Sequence, residues 1–175
     1  MFFQPLPVKL NSPWMCINPA SELYEALLVR GWTLSLAESC TGGGVSVALT
    51  DCPGISQVYL GSVVAYANSI KVGVLGIDPR VLDQNGAVSS PVALAMAQGV
   101  QALFNSTIAL SVTGIAGPGG GTPEKPVGTV WLGLVGEGVS LSRHLTLKGN
   151  RKQIQDQSVQ EALDWVFSIF FAEKS

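Results

Sequence analysis

Two short apolar runs in this chain break off abruptly into glycine. Thr33-Leu34-Ser35-Leu36-Ala37 gives way to Glu38-Ser39-Cys40-Thr41-Gly42-Gly43-Gly44, and Thr107 to Val112 gives way to Thr113-Gly114-Ile115-Ala116-Gly117-Pro118-Gly119-Gly120-Gly121. Short apolar runs bounded by turn residues read as buried strands. Strands buried in this way need helices on both sides. In sheets so covered, ligands collect in the loops beyond the strand carboxyl ends. The glycine-rich segments therefore limit the fold and are also the first place to look for a site.

The intervals between strands carry helix signals. Asn18-Pro19 opens an amphipathic stretch with Leu23, Ala26 and Leu27 on one side and a Gly31 stop. Val45 to Leu49 resumes a helical or buried pattern, Asn68 is a candidate cap for a short helix through Val74, and Asp78-Pro79 opens another. Ser90-Pro91 begins a longer helix that ends near Asn105, and Asn150 to Phe171 reads as the last. Gln57 to Tyr66 is strand-like. Val127 to Val135 and Val139 to Leu147 flank Gly136-Glu137-Gly138 as an antiparallel hairpin. The expected class is α/β, a three-layer α/β/α sandwich with a mixed sheet in a single domain over 18–175. Residues 1–17, spaced by Pro5, Pro7 and Pro13, form an N-terminal arm.

Composition narrows the partners. With 47% hydrophobic and 13% charged residues in 175, the chain can bury a core, but its surface is thin in charge. A net charge of -2 and scattered Lys and Arg give no basic field for nucleic acid. No apolar run approaches the ~18 residues that span a bilayer, so no membrane partner is expected. Cys16, Cys40 and Cys52 make no disulfide framework and no zinc or redox spacing, which points to a reducing, cytoplasmic setting. No His, Asp and Glu cluster has metal-ligand spacing, so no metal site is expected.

Three segments carry chemistry. At Glu38 to Gly44 a strand end passes into a helix start, where N–H groups and the positive dipole end suit a phosphate or an oxyanion. There Ser39 or Thr41 serves equally well as a structural cap or as a nucleophile. Cys40 is a rival nucleophile, although neighbouring residues at a strand end face opposite ways and only one of the pair can meet a cleft. Lys71, among Ile70, Val72, Val74 and Leu75, is either a base whose ammonium burial disfavours or a side chain that snorkels to water. Tyr66 is either a phenol at work or a wet-edged core aromatic. The Thr113 to Lys125 segment either encloses a ligand or is a surface lid, and it lacks the Gly-x4-Gly-Lys-Ser/Thr pattern of a phosphate-binding loop. The single histidine, His144, falls on a hairpin strand as a surface residue, which leaves a Ser-His-Asp triad without its base.

Ala37-Glu38-Ser39-Cys40-Thr41-Gly42-Gly43, Val64-Ala65-Tyr66 with Asn68 and Lys71, Gly86-Ala87-Val88-Ser89, and Val112 to Gly120 followed by Thr122-Pro123-Glu124-Lys125-Pro126-Val127-Gly128 occur in one order. Together they resemble the CinA C-terminal family, over roughly Ser21 to Phe170. That family contains nicotinamide mononucleotide amidases. The resemblance implies a self-associating enzyme, a homodimer or higher homo-oligomer, that hydrolyses the carboxamide of nicotinamide mononucleotide to the acid and ammonia without metal or organic cofactor. It implies Ser39 as nucleophile, Lys71 as its base and Tyr66 as a helper in proton transfer or orientation, with Glu38 in the substrate site. N–H groups around Thr41, Gly42 and Gly43 would hold the oxyanion, and Thr113 and Gly114 would lie beside the reacting centre. Gly117, Gly119, Gly120, Lys125 and Arg151 would enclose the nucleotide and meet its phosphate.

The chain departs from that pattern at Gln155, where similar proteins carry a second arginine four positions after Arg151, and in its N-terminal arm. Gln155 keeps open a non-catalytic nucleotide-binding module. A purely structural partner-binding domain is the third alternative.

Overall fold

The computed structural model describes residues 19–172, so the arm over 1–17 lies outside the described residues. Helix α1 (Pro19–Arg30) leads into strand β1 (Leu34–Glu38), α2 (Gly44–Thr50), one 3-10 turn (Ile55–Gln57) and β2 (Tyr59–Val64). Helices α3 (Asn68–Gly73), α4 (Pro79–Asn85) and α5 (Ser90–Phe104) follow. Strands β3 (Ile108–Gly114), β4 (Thr129–Gly136) and β5 (Val139–Thr146) and helix α6 (Arg151–Phe170) complete the chain. The five strands form one sheet in the order β2-β1-β3-β4-β5. β1 runs parallel to β2 and β3, and β3-β4 and β4-β5 are antiparallel, as the hairpin around Gly136-Glu137-Gly138 implied.

The two faces of the sheet are built differently. Leu34, Leu36, Ile108, Leu110, Val112, Val130, Leu132 and Leu134 face α1, α2 and α6, and pack on Leu23, Leu27, Leu49, Ile154, Leu163 and Val166. The opposite face carries small residues: Ser35, Ala37, Ala109, Ser111 and Gly133 alternate with the bulky set. Small residues let α5 lie close against the strands. Ser111 Oγ donates to Ala93 O at 2.6 Å and Ser35 Oγ to Val100 O at 3.4 Å, both directly onto the backbone of α5. A Cβ on Gly133 would stand 2.4 Å from Ala93 O, so only glycine permits this approach. The second core, Ala37, Val92, Met96, Ala97, Val100 and Ala109 with Leu75, Ile77 and Leu82, fills the space around α5. Helices thus cover both faces, which is the three-layer arrangement the apolar runs called for.

Boundaries differ from the sequence reading where pairing or caps decide them. Strand β2 begins at Tyr59 rather than Gln57 and ends at Val64 rather than Tyr66. Its end is set where Ala65 N donates to Glu38 O at 2.8 Å and the chain turns into α3. Asn68 is the first residue of α3 rather than its cap, a place held by Ala67. Strand β3 continues through Thr113 and Gly114 because both pair with β4 at Trp131 and Val130, so these two belong to the sheet and not to the loop. At α6, Asn150 and Gln153 form a reciprocal capping box. Among the described residues no helix is long and apolar enough to cross a membrane.

Candidate functional site

The connection after β1 passes to α2 on one face and the connection after β2 passes to α3 on the other. Neighbouring strands whose chains part in this way leave a crevice beyond their carboxyl ends. In that crevice lies a cavity of ≈ 230 Å³ lined by Ser39, Cys40, Tyr66, Asn68, Lys71, Ala87, Val88, Thr113, Gly114, Ala116 and Arg151.

Ser39 follows directly on β1, where its N–H donates to Val112 O of β3 at 2.9 Å, so the sheet itself holds the residue. Lys71, in the last turn of α3, sends its side chain back to the strand ends and is 1% exposed. Its Nζ lies 3.2 Å from Ser39 Oγ, 2.7 Å from Ala65 O and 3.4 Å from Tyr66 O. Burial holds this lysine below its ordinary 10.5, because removal from water penalises the ammonium form. Nζ donates to Ser39 Oγ and to the two carbonyls, and when the ammonium gives up a proton its lone pair can face the hydroxyl of Ser39. Lys71 therefore does not snorkel.

Cys40 is 6% exposed, and burial pushes its thiol up to about 12 from an ordinary 9.0. A thiol so held is no nucleophile near neutral pH, which removes the rival to Ser39. His144 is exposed on β5, at the sheet edge farthest from β2, and stacks on Trp131 with ring centroids 4.8 Å apart. It takes no part in the cavity.

Tyr66 and Arg151 stand at the mouth. Arg151 Nη2 donates to the Tyr66 hydroxyl at 3.0 Å and Nη1 to Gly117 O at 2.9 Å, so one guanidinium joins the β2-α3 turn to the glycine-rich loop. Tyr66, expected as a helper in proton transfer, has its hydroxyl on Arg151, and among the described residues only its backbone carbonyl meets Lys71. Thr113 lines the cavity with its hydroxyl donating to Ala87 O at 2.9 Å, which stitches the end of β3 to the segment before α5.

Other expected residues are placed elsewhere, for identifiable reasons. Glu38 is 0% exposed and its carboxylate caps the start of α2 rather than facing the cavity. Thr41, Gly42 and Gly43 line a separate groove between α2 and α6. The Gly42 N–H donates to Ser39 O and the Gly43 N–H to Glu38 Oε2, both at 3.1 Å, so neither is available to an oxyanion. Lys125 donates to Asn85 O at 2.8 Å, where the last carbonyls of α4 attract a cation. Gly119 and Gly120 do not line the cavity, and Gly117 meets its mouth through the carbonyl held by Arg151.

Sequence reasoning read Asn68 as a helix cap and named no role for Ala87, Val88 and Ala116, and all four line the cavity. The signal was present in Gly86-Ala87-Val88-Ser89, a small-residue segment just before the Ser90-Pro91 helix start. Only tertiary structure sets it beside Ser39.

The family model of the CinA C-terminal domain matches residues 18–170. A CinA-like protein of Geotalea uraniireducens is 51% identical over 136 residues, which cover 78% of this chain and 32% of that protein. This chain thus spans about a third of the length of the curated relatives it matches. Among solved structures, competence damage-inducible protein A from Klebsiella pneumoniae superposes with a TM-score of 0.84 at 32% identity, covering 90% of this chain and 97% of that one. A competence/damage inducible protein from Agrobacterium tumefaciens gives a TM-score of 0.81 at 37% identity, covering 87% and 96%. The order of motifs, the sheet and these likenesses agree: the chain belongs to the CinA C-terminal domain family.

Proposed function

We propose that this chain is a serine amidohydrolase that converts nicotinamide mononucleotide to nicotinic acid mononucleotide and ammonia. The observation that carries the reading is the buried, desolvated Lys71 amine 3.2 Å from Ser39 Oγ. A serine hydroxyl needs an adjacent base to attack an amide, and a lysine whose ammonium form burial disfavours is one of the few groups that can serve.

Lys71 takes the proton as Ser39 Oγ bonds to the carboxamide carbon, and the carboxamide oxygen gains the charge. The carbon–nitrogen bond then breaks and Lys71 returns the proton to the leaving ammonia. Water attacks the acyl ester, again giving a proton to Lys71, and the proton passes back to Ser39 Oγ as the acid departs. The cavity of ≈ 230 Å³ suits the pyridine carboxamide, with ribose and phosphate extending past Tyr66 toward Arg151. Tyr66, its hydroxyl held by Arg151, orients the ring at the mouth.

A second reading, nucleotide capture without turnover, is favoured by Gln155. Its amide donates to Cys40 O at 2.8 Å and supplies no cation where similar proteins have arginine. Ammonia release from nicotinamide mononucleotide by wild type and by Ser39→Ala separates the two. Release by wild type alone establishes the amidase. Silence from both, with retained binding, establishes capture instead.

A further inference from the structure

Glu38 is a buried carboxylate with no cationic partner among the described residues, since the ion pairs there involve Asp78, Glu161 and Asp156. Five donors surround it. Oε2 accepts from Thr41 Oγ1 at 2.7 Å, Gly43 N at 3.1 Å and Val45 N at 3.0 Å, and Oε1 accepts from Ser46 N at 2.9 Å and Ser46 Oγ at 2.7 Å. Ser46 Oγ in turn meets Ser62 of β2 at 2.8 Å, and its other neighbour is the hydroxyl of Tyr59, also at 2.8 Å. One side chain thus fastens both ends of the segment between β1 and α2. That segment passes through positive φ at Gly42 and Gly43, which a glycine tolerates and other residues resist.

Resting on the amidase reading, we propose that Glu38 is the positioning residue of the nucleophile, fixing the turn that carries Ser39 beyond the end of β1. Glu38 binds the Thr41 hydroxyl and the N–H groups of Gly43, Val45 and Ser46, so the chain that leaves Ser39 is fastened to a buried carboxylate on the residue just before it. A carboxylate is needed because all five partners donate. The amide of glutamine would turn its NH2 against at least one N–H whichever way it lies.

Glu38 does not line the cavity and acts through the placement of Ser39 Oγ against Lys71, so its loss should lower kcat and leave KM nearly unchanged. In Glu38→Gln kcat should fall about 10- to 100-fold with KM within about threefold, within the loss that a misplacement of about 1 Å can cause. Thr41→Val and Ser46→Ala remove donors from either oxygen without disturbing the core. Each should give a smaller fall in kcat with the same unchanged KM, and they carry the test if Glu38→Gln fails to fold. The second readout is the rate at which a fluorophosphonate labels Ser39, which needs the nucleophile and its base in place but no carboxamide. Labelling should slow in parallel with kcat.

Wild-type labelling without ammonia release would overturn the substrate assignment and leave the positioning role supported, provided that the variants label more slowly. Variants that label and turn over at wild-type rates would overturn the role of Glu38 alone. A wild-type Ser39 that does not label at all would overturn both.

Discussion

Replacing Lys71 by Met separates what the buried amine does for the fold from what it does for the chemistry. Met fills nearly the same volume without charge. The carbonyl of Ala65, 2.7 Å from Nζ, would lose its partner at a cost of about 1–3 kcal/mol. The same change removes the penalty of burying an amine, which burial has already driven below its ordinary 10.5. These effects oppose one another, so the net loss should not exceed about 2 kcal/mol, a fall in Tm of roughly 4–8 °C for a domain of this size. Turnover should fall far more, by about 10²–10⁴, because among the described residues Lys71 is the base hydrogen-bonded to Ser39 Oγ.

The pH dependence gives a further check. The unfolded lysine keeps its proton up to 10.5 while the folded one gives it up earlier. Between those values the unfolded chain binds more protons, so wild-type stability climbs with pH, and the Met variant should lack that rise. Activity of the wild type should likewise rise with pH as the amine becomes neutral, with a midpoint below 10.5. Melting curves and ammonia release from pH 6 to pH 10 measure both. A folded Lys71→Met chain within tenfold of wild-type turnover would refute the assignment of the base.

Three other outcomes follow from the same geometry. Ser39→Ala should release no ammonia yet bind the mononucleotide with affinity within about threefold of wild type, as calorimetry would measure; turnover by this variant would exclude Ser39 as nucleophile. Cys40 should resist iodoacetamide at pH 8, since a thiol at about 12 rather than 9.0 holds about a thousandfold less thiolate; peptide mapping that finds Cys40 modified as fast as a free thiol would contradict its burial. Gly133→Ala should lower stability by roughly 1–3 kcal/mol, because its Cβ would meet Ala93 O at 2.4 Å and push α5 off the sheet; an unchanged denaturation midpoint would show that α5 gives way without strain.

The sequence by itself determined the layers and the order of elements. Apolar runs such as Leu34 to Ala37 and Ile108 to Val112 have the length of strands, and the starts at Pro19, Pro79 and Ser90-Pro91 each open a helix where it was expected. These are local signals of backbone geometry and periodicity. Ser39, Tyr66, Lys71, Thr113, Gly114 and Arg151 were named as candidates through motifs whose order resembles a family, and one cavity collects all six.

Only the tertiary structure decided what each of them meets. The environment of Lys71 depends on Ala65 O and Ser39 Oγ, which local sequence does not encode. Glu38 and Lys125 were expected at the substrate because the resemblance to the family implied it. In the fold their charges answer nearer demands, the N–H groups at the start of α2 and the carbonyls at the end of α4. Helix ends leave backbone groups unsatisfied, and the nearest suitable side chain takes them before any ligand can. Ala87, Val88 and Ala116 carry no chemistry of their own and reach the site only because β3 and the start of α5 meet beside β1. Such proximity is a property of packing, and a pattern along the chain does not contain it.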